Sequence, residues 1–412
     1  MKIGIIGGGL TGLVAAHVLA QEHEVHLSEK MPFLGGCLSS YHIDDYWIER
    51  YYHHCFSDDR HLFSLLKDLG LSDRLEWLAS TTGNYSRDTI YPLNTPVQIL
   101  RWPELSIIDK AKLAWLTLRA KKIDLAPLDD ITAETYIHEE LGQNIYSSFF
   151  EPLLRSKFGK RRNEVSAAWL ISRIAIRSNR GMAGERLGYM NGGFHQIIDQ
   201  LEKSVQAHGG IISIQSPVTS LARTNGQWVM NGDAVDAIIS TIPPQELGAI
   251  AGIPMPEIPY QGAACMTLGI ARDVCEGVYW LNMKDECPYG AVVTHTNFVP
   301  RERYGEVIVY LASYFSGSVP ARLDRKMIAD FCSRFGILEK DIHWHRMAID
   351  PWAGPVYTTG YRSIIPPFEK QGIYLAGMFS SENYPERSME GSIKAGFAVA
   401  ECIKNRTPHD RT

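Results

Sequence analysis

The run Lys2-Ile3-Gly4-Ile5-Ile6-Gly7-Gly8-Gly9-Leu10-Thr11-Gly12, followed by Glu29 behind Val25, His26 and Leu27, constrains the fold more than any other stretch of the chain. Ile3, Ile5 and Ile6 read as a short buried strand, and Leu13 through Ala20 as a helix. Gly7, Gly9 and Gly12 therefore fall at the strand-to-helix turn of a βαβ unit, where a dinucleotide fingerprint must sit. Gly7 permits the tight turn, Gly9 lets the backbone reach a pyrophosphate, and Gly12 lets the helix pack closely on the strand. The helix then points unpaired N–H groups at the pyrophosphate, with about half a unit of positive charge at that end. Glu29 closes the second strand at the distance expected for a carboxylate that accepts hydrogen bonds from ribose hydroxyls, and it would repel a 2′-phosphate. NAD and FAD both satisfy this pattern.

A chain of 412 residues exceeds the size at which one hydrophobic core usually suffices, so two structural domains are expected. The net charge is −5 and no basic run resembles a nucleic-acid footprint, which removes nucleic acid from the expected partners. Seven cysteines are scattered without a Cys-x-x-Cys pair; their odd number fits reduced thiols and a cytoplasmic location. The first apolar stretch is broken by glycines and lacks a basic leader, unlike a signal peptide, and no uninterrupted apolar run is long enough to span a bilayer. No histidine-carboxylate spacing suggests a metal site.

Further along, Ile197, Ile198, Leu201 and Val205 recur at helical spacing, and Ile211, Ile212 and Ile214 suggest a strand. Turns at Asn225-Gly226 and Asn231-Gly232 bracket Trp228 and Val229, and the run from Asp236 to Pro244 reads as a buried strand with a proline stop. Between these α/β pieces lie a largely helical insertion, from about Tyr91 to Asn179, and a strand-rich one, from about Tyr260 to Met347. Strands are expected over Ala264 to Ile270, Val278 to Leu281, Ala291 to Thr294 and Val307 to Ala312, in a mixed or antiparallel sheet. Gly372 to Gly377 makes a final short strand, and a last helix opens near Gly391; the polar tail from Lys404 to Thr412 is expected to fray.

These pieces in this order resemble the flavin amine oxidase superfamily, which contains protoporphyrinogen oxidases and phytoene desaturases, with a further likeness to UDP-galactopyranose mutase. The anchors are Gly7-x-Gly9-x-x-Gly12 with Glu29, the pair Gly35-Gly36, Pro217-Val218, the Asp236 strand, and Tyr374-Leu375-Ala376-Gly377 followed by Gly391. The resemblance implies an α/β, Rossmann-like FAD-binding domain, discontinuous over 1–85, 185–255 and 350–412. An inserted α+β substrate domain over 86–184 and 256–349 completes an amine oxidase or p-hydroxybenzoate hydroxylase-like architecture. It implies FAD as the cofactor, contacted by Gly7, Gly9, Leu10, Thr11, Gly12, Glu29, Lys30, Gly35, Gly36, Cys37, Val218, Gly377, Met378, Gly391, Ser392 and Ile393. Members often carry an arginine after the paired glycines and an acid after the C-terminal glycine, where this chain has Cys37 and Met378. Phosphate and ribitol contacts would then fall to Ser39, Ser40 or backbone. The activity implied is hydride transfer to flavin from a C–H or C–N bond of a small hydrophobic substrate. The alternatives are a mutase acting on a nucleotide sugar and a binding protein that lost the flavin.

The polar cluster Glu49-Arg50-Tyr51-Tyr52-His53-His54-Cys55-Phe56 falls where this superfamily brings the chain past the flavin. His53 and His54 are candidate catalytic groups for proton movement near neutral pH, against a structural role at a domain junction. Tyr361 is a third candidate, with Tyr357 and Trp352 as aromatic walls, while Phe149, Phe150, Leu153, Leu154 and Phe158 read as core. A mutase would need arginines to clamp a diphosphate, and Arg155, Arg161, Arg162, Arg173, Arg177 and Arg180 offer themselves. Cys37 and Cys55 lack an activating base. The segment 107–122 is amphipathic and basic around Trp115, so it suits peripheral contact with an anionic membrane; packing of its apolar face on the domain is the commoner use of such a helix.

Overall fold

The computed structural model describes residues 1–177 and 184–405. Its centre is a six-stranded sheet in the spatial order Glu369–Lys370, Ile373–Leu375, Ala237–Ser240, Lys2–Ile6, Glu24–Ser28, Ile211–Ser213. Neighbours are parallel except at the Glu369–Lys370 edge. Its inner strands are runs of Ile, Val and Leu because both faces are covered. Ile3 and Ile5 pack with helices Leu10–Leu19, His195–Ala207 and Met389–Lys404 on one face. Ile6 and Ile238 pack under the meander Leu221–Thr224, Gln227–Met230, Asp233–Val235 and under helix Pro244–Ala251 on the other. Both meander turns place an Asn-Gly pair at positive φ, as two-residue hairpins require.

The second sheet has seven strands in the order Ile342–Pro355, Tyr260–Ile270, Val307–Phe315, Ala291–Thr294, Trp280–Met283, Thr82–Ser86, Thr89–Pro92. It is antiparallel except where Trp280–Met283 pairs in parallel with Thr82–Ser86, and so is mixed, as expected. Alternate residues serve two cores: Val307, Val309 and Leu311 pack with helix Leu323–Phe335, while Ile308, Tyr310 and Ala312 join the core of the first sheet. The boundaries expected at 85/86 and 349/350 fall inside Thr82–Ser86 and Ile342–Pro355, because the chain adds a strand to this sheet at each passage.

Residues 96–176 are largely helical, with helices Pro96–Arg101, Ile107–Arg119, Ala133–Glu140, Glu151–Phe158 and Ala167–Ile176. Phe150, Leu154 and Phe158 are buried there and Phe149 packs beside them, in line with the core reading. None of the seven cysteines is in a disulfide. Among the described residues no helix is long and apolar enough to cross a membrane. Arg180 and the tail from 406 to 412 lie outside the described residues.

Candidate functional site

The first strand ends at Gly7, whose φ is 104° and whose Cβ, if present, would lie 2.4 Å from Thr241 Oγ1. A Cβ at Gly12 would lie 2.1 Å from the Gly7 carbonyl oxygen, so only glycine lets the helix sit this close to the strand. At Gly9 the opposite holds: nothing lies within 4 Å of the Cβ position. No side chain caps the helix that Gly9 begins, and the amides of its first turn have no partner inside the helix. They face open space. Gly35 and Gly36 lie along this turn, Gly35 donating its N–H to the Gly8 carbonyl at 2.8 Å and Gly36 approaching the Gly9 Cα.

Glu29 is buried beside the same turn. One carboxylate oxygen accepts the Gly8 N–H and the other the Met31 N–H, each at 2.7 Å. A lone pair remains on each oxygen for a further donor. Val218 is buried two residues beyond Ser216, whose N–H donates to the Glu29 carbonyl at 2.9 Å. Lys30 instead reaches the Glu246 carboxylate at 3.7 Å. The Leu10 side chain is in the core, and the Thr11 hydroxyl donates to the Ser392 carbonyl at 3.0 Å, joining the first helix to the last.

The last helix starts earlier than expected. It runs Met389–Lys404, with Ser388 Oγ accepting the Gly391 N–H at 3.0 Å. The Gly391 amide is thus spent on the cap, and the Met389 and Glu390 amides are the ones without a partner inside the helix. Gly391 is nonetheless required, because a Cβ there would lie 2.4 Å from Asn383 Oδ1. Ser392 and Ile393 pack the helix: Ile393 is fully buried, and the Ser392 carbonyl holds Thr11. Asn383, also fully buried, donates to the Gly377 carbonyl at 3.1 Å and accepts the Ser388 N–H at 3.1 Å, so it fixes the Gly377 turn against the helix start. Met378 contributes its carbonyl, 3.3 Å from the Tyr357 hydroxyl.

Arg387, one residue before the cap, extends its guanidinium to the Ala353 carbonyl at 2.6 Å, over Gly354, where any side chain would collide with it. Cys37, Tyr52, His53 and Tyr260 all feel its charge. Each is only half-buried, so together they border space beside Arg387 that solvent reaches. Tyr52 meets Trp280 edge-on at 4.8 Å, and its hydroxyl is 3.0 Å from that of Tyr314. His54 Nδ1 is 3.2 Å from the Tyr279 hydroxyl, and its ring meets Phe56 edge-on at 5.2 Å.

Loss of water, and then the Arg387 charge, hold His53 down at about 4, although the Tyr51 carbonyl 2.6 Å from Nδ1 opposes the shift. Burial and the charges of Arg177 and Arg173 push His54 well below the usual imidazole range. Both shifts favour the neutral imidazole, and each ring has a hydrogen-bond partner at Nδ1, the Tyr51 carbonyl for His53 and the Tyr279 hydroxyl for His54. Loss of water and the Asp350 carboxylate, 3.6 Å away, push the Cys37 thiol up to about 12, and burial raises Cys55 as well. Tyr361 is fully buried outside this space, stacked on Tyr384 at 5.8 Å and edge-on to Tyr357 at 4.7 Å. Trp352 packs edge-on against Tyr260 at 5.2 Å.

Among the described residues the arginines of the helical insertion form no single cluster, although Arg173 and Arg177 both lie near enough to His54 for their charges to act on it. Arg161 pairs with Glu164 at 2.7 Å and Arg162 with Glu151 at 3.3 Å, while Arg155 donates to the Lys284 carbonyl at 2.9 Å. Arg173 pairs with Glu386 at 3.2 Å, and Arg177 lies over Trp280 at 5.6 Å. Sequence reasoning passed over Lys157, Asn383, Glu386 and Arg387. Burial pulls Lys157 down to about 7 against the opposing pull of Glu386, 3.6 Å away, with Arg173 and Arg387 adding to the fall. The signal was there to read: an adjacent acid and base, Glu386-Arg387, between the last glycine turn and the last helix.

The arrangement offers a helix start with no side-chain cap at the open Gly9 position, a carboxylate with two spare lone pairs beside it, and a group of half-buried side chains around Arg387, next to a second helix start. FAD fits these residues: Gly9 and the first-turn amides would hold its pyrophosphate, and Glu29 would accept hydrogen bonds from its adenosine ribose. The fold is that of a dinucleotide-binding flavoprotein with a mixed sheet and a helical segment set into it.

The sequence model described as flavin containing amine oxidoreductase matches residues 10–267 and 277–404, and the chain belongs to this family. It is 24% identical over 286 residues to coproporphyrinogen III oxidase of Staphylococcus aureus, covering 59% of this chain and 61% of that protein. It is 25% identical over 266 residues to 15-cis-phytoene desaturase of Synechococcus elongatus, covering 57% and 52%. The chain therefore spans less than two thirds of the length of these curated relatives. A solved structure of a candidate protoporphyrinogen oxidase from Exiguobacterium sp. 255-15 superposes with a TM-score of 0.78 at 18% identity, covering 98% of each chain, a likeness of fold.

Proposed function

We propose that this protein oxidises a C–H or C–N bond of a small, apolar substrate by hydride transfer to FAD. The observation that carries the proposal is the group of half-buried aromatic and imidazole side chains beside Arg387, namely Tyr52, His53 and Tyr260, with Trp280 edge-on to Tyr52. FAD supplies the two-electron acceptor when bound. The chain's own contribution is placement: aromatic faces hold an apolar molecule flat, and neutral imidazoles orient it by hydrogen bonds. Arg387 sets positive charge beside the space, where it would stabilise negative charge on whatever accepts electrons there. The oxidase and desaturase among the relatives support the same reading.

The residues proposed to hold the cofactor are Gly9, Gly12, Glu29, Gly35, Gly36, Val218, Gly377 and the amides ahead of Gly391. The domain division proposed is a cofactor half built on the six-stranded sheet and a substrate half built on the seven-stranded sheet and the helices. A mutase would need a convergent arginine clamp, and the arginines are paired elsewhere. The decisive experiment mixes the holoprotein anaerobically with apolar candidates, namely a porphyrinogen, a polyene and an aliphatic amine, and follows the visible flavin band. Bleaching by one of them supports the proposal. Turnover only after prior reduction, with no reductant consumed, would overturn it in favour of isomerisation.

A further inference from the structure

We infer that the face built by helices Pro96–Arg101 and Ile107–Arg119 docks on the surface of an anionic lipid bilayer. Seven of the fourteen large hydrophobic side chains exposed on the described residues fall between Val97 and Leu118. Ile107 is 76% exposed, Ile108 70%, Trp115 63% and Leu118 76%. The longer helix is oriented against the usual rule for a water-facing helix, which turns its polar side outward. Leu116 and the stem of Lys110 face the protein, while Ile108, Trp115 and Leu118 face out.

This orientation is fixed by chemistry. The Lys110 ammonium donates to the carbonyls of Leu100 and Trp102 at 2.7 and 2.6 Å, pinning the two helices together, and Ser106 and Asp109 form a reciprocal cap at the longer helix's start. The apolar tips are therefore held outward on a rigid support. Clustered exposed apolar side chains of this kind mark an interaction surface, whereas scattered single ones do not.

Charge selects the partner. Across 96–122 the exposed charged residues are Arg101, Lys112, Lys121 and Lys122, all basic, although the whole chain carries −5. The two acids of the segment are turned aside: Glu104 pairs with Lys284, and Asp109 holds Ser106 and Asn144. Apolar tips with an indole among them, rimmed by lysines, suit the boundary between acyl chains and anionic headgroups. A second copy suits it less, because a two-fold interface would set these basic residues against their own images. The inference stands independently of which bond is oxidised, and it gives an apolar substrate a source.

The test is co-sedimentation of the full-length holoprotein with vesicles of phosphatidylcholine containing phosphatidylserine, and with phosphatidylcholine alone. Binding to the anionic vesicles is expected, weakening at high salt. Trp115→Glu with Ile108→Glu is expected to lower it by about tenfold or more while the flavin spectrum stays unchanged. Should that variant fold poorly, the surface charge reversal Lys112→Glu with Lys122→Glu is expected to weaken anionic binding alone. Absence of wild-type binding, binding unaffected by these substitutions, or a Trp115-dependent dimer that ignores vesicles would each overturn the inference.

Discussion

Replacing Gly9 by alanine should abolish cofactor retention while leaving the fold intact. No atom lies within 4 Å of the added Cβ, and the φ of −74° is one alanine adopts freely. Alanine is a poorer helix N-cap than glycine, but it also restricts the unfolded chain. The two effects oppose each other and leave a net change within about 0.5 kcal/mol. The methyl group, however, occupies the space through which the first-turn amides would meet a pyrophosphate. Losing two charge-assisted hydrogen bonds costs about 3–6 kcal/mol, or about two to four orders of magnitude in Kd.

Gly12→Ala is the matched control. Its Cβ would sit 2.1 Å from the Gly7 carbonyl, so the helix must lift by about 1 Å from the strand, at a cost of about 3 kcal/mol in stability. The assays are the flavin-to-protein absorbance ratio after gel filtration, FAD affinity from fluorescence quenching, and thermal unfolding of the apoproteins. Gly9→Ala is expected to give a colourless protein with the wild-type apoprotein Tm, and Gly12→Ala a protein with a lowered Tm. A Gly9→Ala protein that keeps its full flavin load would refute the placement of the pyrophosphate. An apoprotein Tm as low as that of Gly12→Ala would refute the open space.

Three further outcomes are expected. Asn383→Ala strands the Ser388 amide and removes one of three donors to the Gly377 carbonyl, which keeps the Ser380 amide and hydroxyl, and should cost about 1–3 kcal/mol in urea unfolding, with partial recovery in Asn383→Asp, which keeps an acceptor for Ser388. Glu390 caps helix Arg60–Asp68 by accepting the His61 and Leu62 amides at 3.0 and 2.9 Å, so Glu390→Ala should cost about 1–2 kcal/mol by the same measurement. His53 titrates at about 4 when folded and 6.5 when unfolded, so the unfolded chain takes the proton first; stability should fall by about 3 kcal/mol as pH drops from 6.5 to 4 and then level off, and His53→Gln should remove that part of the slope in a pH series of urea midpoints.

The local pattern was sufficient for the elements whose geometry is set by neighbours in sequence. The Gly7-Gly9-Gly12 turn, the two Asn-Gly hairpins, helix His195–Ala207 and strand Ala291–Thr294 all stand where spacing and turn chemistry placed them. The start of the last helix was misplaced by two residues, because its limit is set by Ser388 and by Asn383, which acts from outside the helix. Strand Trp280–Met283 came two residues later than its apolar run suggested. Its register is dictated by pairing with Thr82–Ser86, almost two hundred residues away.

What the sequence by itself determined is the cofactor end of the protein. Glycines that must lack a Cβ, and a carboxylate at the close of the second strand, owe their meaning to backbone sterics within one βαβ unit, and sterics of that kind are legible in order along the chain. What only the tertiary structure decided is the chemistry at the other end. Which way burial shifts His53 and His54, where the five described arginines find their partners, and whether the apolar side of Ile107–Arg119 turns inward or outward all depend on burial and on groups delivered by distant segments. Desolvation and Coulomb interactions depend on distance in space, and separation along the sequence does not report it.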